Sequence, residues 1–502
     1  MLIDSLTFVL EKSGALDDFW GKLDAGTDAT LGVASSARPF LASAQFSRSP
    51  RPTLVVVAGE DAAIAFARNM AAYLGEDRVL LFPERADTPF SPKTPDARKV
   101  ACRMEAAFSL ACGRPRVVVA SARALIRMIS PKDSLVAAPL VFEAGVELAD
   151  TAREGEAALP TPMREHCCVE SFEDVARSLE DRGYANAGEL DGPGTFAVHG
   201  GTIDVFPGNL TYPVRIDFFG DEVDEIRRIV PSTGQTISPL SRVEIYPVRE
   251  YSCSAETIAR ARRKIAAPAK SNAVLRDMLE KLDGGLRFEG ADALLPYLYD
   301  KSVTLGAWAG PNTMTCLIEP RSLFDDATHA YEEIEARAKG TKIPVVGLYA
   351  GPTALDFGGG VRATYVSIMR VGGTIDVELP VKRVEVAGHP DKLFGRLVNL
   401  VEGGNTVALC APEPRARHDI ELALVDNGIA FQEALDANFS ELDGLSGDGS
   451  AKRRLRRSVV NVVDIDVPLG MIFPKAKLAI VALSDTQGTQ TTARARRRTD
   501  IT

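Results

Sequence analysis

The sequence offers little from which an active site could be assembled. Its seven cysteines, at 102, 112, 167, 168, 253, 316 and 410, include no CxxC pair. The adjacent Cys167 and Cys168 are poorly placed to bond each other. The odd count also argues against an oxidised framework, so reduced thiols in a cytoplasmic protein are expected. The five histidines, at 166, 199, 329, 389 and 418, make no HxxxH and join no cysteine at ligand spacing; no metal site is expected. No GxSxG or other nucleophile signature occurs. Long apolar runs are missing too. Stretches such as "TLVVVAG" (53–59) have the length of a strand and cannot span a bilayer. The opening "MLIDSLTFVLEKSG" carries Asp4 and Glu11 where a secretory leader would be basic.

What is present is an ordinary globular composition, 45% hydrophobic and 25% charged, in 502 residues. That length implies two to four domains. The net charge of −10 makes the whole chain a poor polyanion binder. Two basic runs stand apart: Arg453, Arg454, Arg456 and Arg457, then Arg494, Arg496, Arg497 and Arg498. Such runs are ordinarily solvated linker, with nucleic-acid contact as the alternative.

Residues 53–129 alternate apolar strands with amphipathic helices, the pattern of a parallel sheet covered by helices. Such a sheet can hold nucleotide at its first strand–helix junction, where glycines, a lysine and a hydroxyl surround phosphate and Mg²⁺. Here the junction reads "VVVAGEDAAIAF", with one glycine, no lysine, and Glu60 and Asp61 where phosphate would sit. The architecture of a nucleotide-binding domain is expected without its site. Residues 136–165 read as an extended loop. "SFEDVARSLEDRGY" (171–184) reads as a helix, with Ser171 and Asp174 as a capping box. Strand-like segments follow up to 251 as an antiparallel sheet inserted into the α/β scaffold. In "TYPVRIDFFGDEVDEI" (211–226), Val214, Ile216 and Phe218 alternate with Arg215, Asp217 and Phe219. Period two sends the first three inward and leaves a bare phenylalanine on the wet face. It either packs under another segment or is an anchor for a partner, since aromatic and Arg side chains dominate interface energetics. Helical patterns return over 252–345. A small α/β unit closes the pattern over 388–485, with an Asp-, Gly- and Ser-rich insertion at 436–457.

The stretch 194–251, from "GTFAVHGGTIDVFP" through "VRIDFFGDEVDEI" to "YPVREY", resembles the UvrA-binding module shared by UvrB and the bacterial transcription-repair coupling factor. Phe196, Gly200, Asp204, Phe206, Pro207, Arg215, Asp217, Phe218, Phe219, Asp221 and Glu222 keep that module's pattern. "LLFPERADTPFSPKTPD", "GMIFPKAKLAIVALSDTQG" and the basic "ARARRR" are similar to further parts of the coupling factor. UvrB has a working phosphate loop, so the resemblance points to the UvrB-like N-terminal part of the coupling factor.

The resemblance implies a degenerate P-loop-NTPase-like parallel sheet, an inserted antiparallel α+β domain and a small third α/β domain. The implied segments are 1–135 and 251–345 for the UvrB-like domain and 136–250 for the UvrA-binding insertion. A linker at 346–387, the third domain at 388–485 and a basic linker at 486–502 complete them. It implies that Arg215 and Phe219 contact UvrA, with Asp217 between them on the same face, either orienting Arg215 or as a solvated carboxylate. His199 falls on the family's arginine, a departure that predicts weaker binding or binding that strengthens as pH falls. No catalytic residue and no cofactor are implied within 1–502; ATP and Mg belong to the motor domains of the complete family protein. RNA polymerase and double-stranded DNA are partners of that complete protein, and no membrane is. The expected function is recruitment of UvrA in transcription-coupled nucleotide excision repair. The alternatives are part of a longer ATP-dependent DNA translocase, or a DNA-binding protein acting through its late Arg clusters.

Overall fold

A computed structural model describes residues 2–90, 94–150, 166–283, 290–368, 374–384, 390–434 and 455–483. Its first sheet is wholly parallel, in the order β16-β1-β15-β14-β2-β4-β3. The strands are β1 (Ala29–Val33), β2 (Thr53–Val57), β3 (Val79–Phe82), β4 (Val117–Ser121), β14 (Met314–Ile318), β15 (Arg362–Val366) and β16 (Val377–Leu379). Both faces are covered, which is why β2 and β4 are continuously apolar and buried throughout. Val55, Val57, Val117 and Val119 point into one core, and Leu54, Val56, Val118 and Ala120 into the other. The first core is closed by α1 (Leu2–Ser13), α2 (Asp17–Asp24), α3 (Arg38–Arg48) and α4 (Glu60–Leu74). The second takes α5 (Ala97–Ala111), the short α6 (Ala122–Ile126) and much of the chain between 255 and 357.

The expected linker at 346–387 is corrected here. It supplies β15 and β16, and β15 lies between β1 and β14 with Ala363 and Tyr365 fully buried. Its glycines look like a linker but serve close approach. A Cβ at Gly358 would stand 2.1 Å from the Gly306 carbonyl oxygen, and one at Gly360 2.3 Å from that of Pro311. The third unit also differs from a free-standing one. Its sheet runs β17-β21-β22-β18-β20-β19, with β17 (Lys382–Arg383), β18 (Thr406–Cys410), β19 (Phe431–Glu433), β20 (Val460–Val463), β21 (Met471–Phe473) and β22 (Leu478–Ala482). One face joins the first core, where the rings of Phe40 and Phe473 lie 5.5 Å apart.

The inserted domain carries the sheet β12-β11-β10-β9-β8-β7, antiparallel except at β7–β8. Its strands are β7 (Ala185–Asn186), β8 (Thr195–His199), β9 (Thr202–Phe206), β10 (Val214–Phe219), β11 (Glu222–Ile229) and β12 (Thr236–Leu240). Part of the expected loop at 136–165 is structured. β5 (Leu140–Glu143) pairs with β13 (Arg242–Ile245), and β6 (Val146–Glu147) pairs with β11; 151–165 lie outside the described residues. The helix α7 (Phe172–Asp181) buries Val175 and Leu179 against the sheet. Its capping box is not formed. Ser171 Oγ donates instead to the Asp174 carboxylate at 2.8 Å, and the Phe172 N–H donates to Asp221 Oδ1, also at 2.8 Å. The helix is capped from the tip of the β10–β11 hairpin.

A buried charge cluster fastens the insertion to the parent domain. Arg85 donates to Asp87, to Glu250 (2.8 Å) and to Asp292; Arg103 pairs with Glu250; Arg127 pairs with Asp87 (3.3 Å) and Asp292 (3.0 Å). Three cations meet three carboxylates. Burial alone would raise the Glu250 carboxyl, but Arg103, Arg85 and Arg127 together hold it down at about 2. That carboxyl lies below its ordinary 4.5, so its stabilisation is present above pH ~4.5 and is lost as pH falls through about 2.

Two predictions follow from these contacts. Glu250→Gln leaves two buried guanidinium groups short of a counter-charge and is expected to destabilise the chain at pH 7 by about 3–5 kcal/mol. Denaturant titration should show that deficit at neutral pH and a much smaller one near pH 2; equal deficits at both would refute the charge pairing. Asp221→Ala removes the cap of α7 and is expected to cost ~0.5–2 kcal/mol. Faster amide exchange should appear at Phe172, with unchanged exchange in β2 and β4.

Candidate functional site

The outer face of the inserted sheet is set by two tight hairpins and one bulge. Gly200 and Gly220 occupy the first central position of the β8–β9 and β10–β11 turns, with φ of 61° and 64°. Positive φ at that position alone is what a type II′ hairpin turn demands. In β11 both Val223 and Ile226 are buried although three residues apart. Strict alternation cannot do this. A bulge opposite Asp217 and Phe218 leaves Asp224 unopposed and restores the register, so that Phe219 faces Glu222 on the outer side.

Phe219 is 82% exposed, the most exposed large apolar side chain among the described residues. Phe218 points the other way, edge-on to the rings of Phe142 and Phe172. The tip that bears Phe219 is held at three points. Asp221 accepts from the Phe172 N–H, its carbonyl accepts from the Leu148 N–H (2.9 Å), and the Val223 carbonyl accepts from the Gly145 N–H (2.7 Å). The ring is thus presented to solvent by a fixed support.

Arg215 is not an open fork. Nε and Nη2 donate to Asp204 Oδ1 and Oδ2 on β9, both at 2.7 Å, and this pairing raises the guanidinium pKa further. Asp217 makes no hydrogen bond to Arg215. It accepts from Thr202 Oγ1 (2.7 Å) and pairs with Arg227 on β11. The face therefore carries two cross-strand ion pairs, Arg215–Asp204 and Arg227–Asp217. Phe219 lies two pleats beyond Arg215, about 13 Å along the strand. His199 is exposed and closes the β8–β9 hairpin opposite Thr202, two strands from Asp217. Asp204 and Arg227 escape a reading of the sequence. The seven residues from Pro207 to Pro213 join β9 to β10, and no tight turn announces that 204 stands opposite 215. The one available signal is the shared alternation of "TIDVF" and "VRIDF", which puts Asp204 and Arg215 on the same face once the strands pair.

At the junction where a nucleotide domain binds phosphate, the chain places its own carboxylates. The Gly59 N–H at the start of α4 donates to Asp326 Oδ2 at 3.0 Å. Asp326 belongs to the helix Pro320–Ala338, and Arg123 donates to its other oxygen at 3.2 Å. Glu60 accepts from the Glu84 N–H (2.9 Å) and from Ser121 Oγ (3.1 Å). Burial pushes the Glu84 carboxyl up; Arg123 opposes this, and nearby Glu60 and Asp326 add to it. A helix N-terminus favours an anion, and here side-chain anions already occupy the place.

Of the two late basic runs, Arg453, Arg454, Arg494, Arg496, Arg497 and Arg498 lie outside the described residues. Arg456 and Arg457 are exposed, and the backbone of Arg456 is held by the buried Asn461 side chain. No helix among the described residues is long and apolar enough to cross a membrane.

Residues 170–251 match the family described as UvrB interaction domain. The chain is 26% identical over 497 residues to the transcription-repair-coupling factor of Mycobacterium bovis, covering 92% of this chain and 37% of that protein. It is 28% identical over 324 residues to that of Myxococcus xanthus, covering 61% of this chain and 25% of that protein. UvrABC system protein B of Thermosipho africanus is 25% identical over 248 residues, 47% of this chain and 34% of that protein. The chain thus spans 37% and 25% of the length of these two coupling factors. Residues 170–251 thus match the UvrB interaction domain, within a chain similar over most of its length to the transcription-repair-coupling factor.

Proposed function

We propose that this chain recruits UvrA through the outer face of its inserted domain, with Phe219 as the apolar anchor and Arg215 as the charged one. The single observation that carries the reading is a phenylalanine 82% exposed on a hairpin tip held at three points. A ring that merely lacked a place in the core would sit on a loose loop. Fixing it in an exposed position costs free energy that only a covering partner returns. Preorganised aromatic anchors are what interface hot spots are made of. The similarity to coupling factors and to UvrB supports a role in transcription-coupled repair.

On this reading residues 1–502 work by binding. The carboxylates of Glu60 and Asp326 stand in for phosphate and leave the first domain a scaffold without ATP or Mg. Translocation on DNA and engagement of RNA polymerase are assigned to the complete family protein. His199 supplies a weaker contact in place of an arginine, because an imidazole lacks the guanidinium fork.

The test is UvrA binding to the purified chain by calorimetry or surface plasmon resonance, with folding checked by circular dichroism. Phe219→Ala is expected to cost at least ~2 kcal/mol, a loss of roughly 30-fold. Arg215→Ala should cost about 2–5 kcal/mol if a partner carboxylate is left unpaired. His199→Arg should tighten binding. Equal affinity for the native chain and both alanine variants would remove the site.

A further inference from the structure

We propose that Asp204 is the positioning residue for Arg215, an inference that rests on the UvrA-binding reading above. Asp204 stands on β9 directly opposite Arg215 on β10. Its carboxylate takes one edge of the guanidinium, Nε to Oδ1 and Nη2 to Oδ2, each at 2.7 Å. The two side chains differ in depth: Asp204 is 10% exposed and Arg215 31%. The carboxylate is therefore the buried base and the guanidinium the reachable end.

An arginine has five N–H donors in a planar fork. Asp204 uses two of them, and Nη1 makes no hydrogen bond among the described residues. The turn at Gly234 closes a second side. A Cβ there would stand 3.6 Å from Nη2 and 4.0 Å from Nη1, and φ of +65° keeps the position a glycine. Asp204 fixes the plane of the guanidinium, the Gly234 turn borders its Nη1–Nη2 edge, and Nη1 keeps its N–H groups for an acceptor beside that turn. A carboxylate on the partner fits Nη1 as the acceptor of a charge-assisted hydrogen bond. An arginine ordered before association has less rotamer freedom to lose when the partner arrives.

The inference separates from simple structural support by its coupling pattern. If Asp204 acts only through Arg215, its loss matters only while Arg215 is present. The experiment measures purified UvrA binding to the full chain carrying Asp204→Asn, Arg215→Ala, both together, or Asp204→Asn with Phe219→Ala. Asp204→Asn alone is expected to weaken binding about three- to tenfold, the effect of freeing one long side chain. It should add nothing on the Arg215→Ala background and its full factor on the Phe219→Ala background, because Phe219 is remote from the pair.

Native affinity in Asp204→Asn, or an equal loss with and without Arg215, would overturn the assignment. A loss in Arg215→Ala with none in Asp204→Asn would leave the recruitment site standing and remove only the role of Asp204. Native affinity in Arg215→Ala would remove Arg215 from the site and this inference with it. Should the Asn variant melt early, Asp204→Ser on the same backgrounds supplies the same comparison.

Discussion

The buried pairing of Arg85, Arg103 and Arg127 with Asp87, Glu250 and Asp292 is the constraint on which the rest of the molecule depends. None of these charges could be left alone at such depth, because desolvating one ion costs several kcal/mol. The six come from separate places in the chain. Arg85 and Asp87 follow β3, Arg103 lies on α5, and Arg127 follows α6. Glu250 lies where the chain leaves the insertion, and Asp292 in the second half of the parent domain. The cluster is therefore completed only by a residue that lies past the insertion, Glu250, and by one further on, Asp292. Arg114 adds a second tie, its two terminal nitrogens on Glu244 at 2.9 and 3.0 Å, beside the hydroxyl of Tyr246. Arg98 adds a third, over the ring of Phe206.

That anchorage gives the outer face its meaning. A recognition surface on a loosely tethered domain would lose affinity to its own motion. Here the tethers lie on the parent side of the insertion, and the exposed face lies at the β8–β9 and β10–β11 hairpins. The same economy recurs within the sheet. Asp221 caps a helix and fixes a hairpin with one carboxylate, and Asp204 neutralises an arginine while holding it in one plane. These two carboxylates are spent inward, and the groups that face outward include the Phe219 ring, His199 and Nη1 of Arg215.

Much of this was legible from residue patterns, for physical reasons. "TLVVV" and "VVVAS" have no polar alternation because both faces of a parallel sheet are covered, and "VRIDFF" alternates because one face is wet. Glycine before an exposed residue marks a tight turn, so the hairpin after Phe219 could be placed. What escaped depends on long-range pairing. The strand at 362–366 is short and follows a run of glycines that reads as linker, and only the carbonyls at 306, 311 and 313 explain the run. The capping box at Ser171 satisfied every local rule and lost to a carboxylate from another hairpin. Asp217 lay next but one to Arg215 in sequence, yet the ladder gave Arg215 to Asp204 and Asp217 to Arg227. Side-chain partners across strands follow register, and register across a seven-residue connection is a property of the whole fold.

The first domain fills with its own side chains the position where open parallel sheets place ligands. In an open parallel sheet the ligand crevice lies beyond the carboxyl ends of the strands, where the chain reverses its order. Here that place lies between β2 and β14, from which the sheet grows in both directions. The α4 N-terminus points into it and would meet an unbalanced field if left empty. Asp326 and Glu60 supply the missing negative charge from within the chain, and Arg123 balances Asp326 in turn. At this junction the anions that face the helix N-terminus are side chains of the chain itself. The exposed and fixed ring of Phe219 lies on the inserted sheet instead, and the parallel sheet is the scaffold to which that insertion is tied.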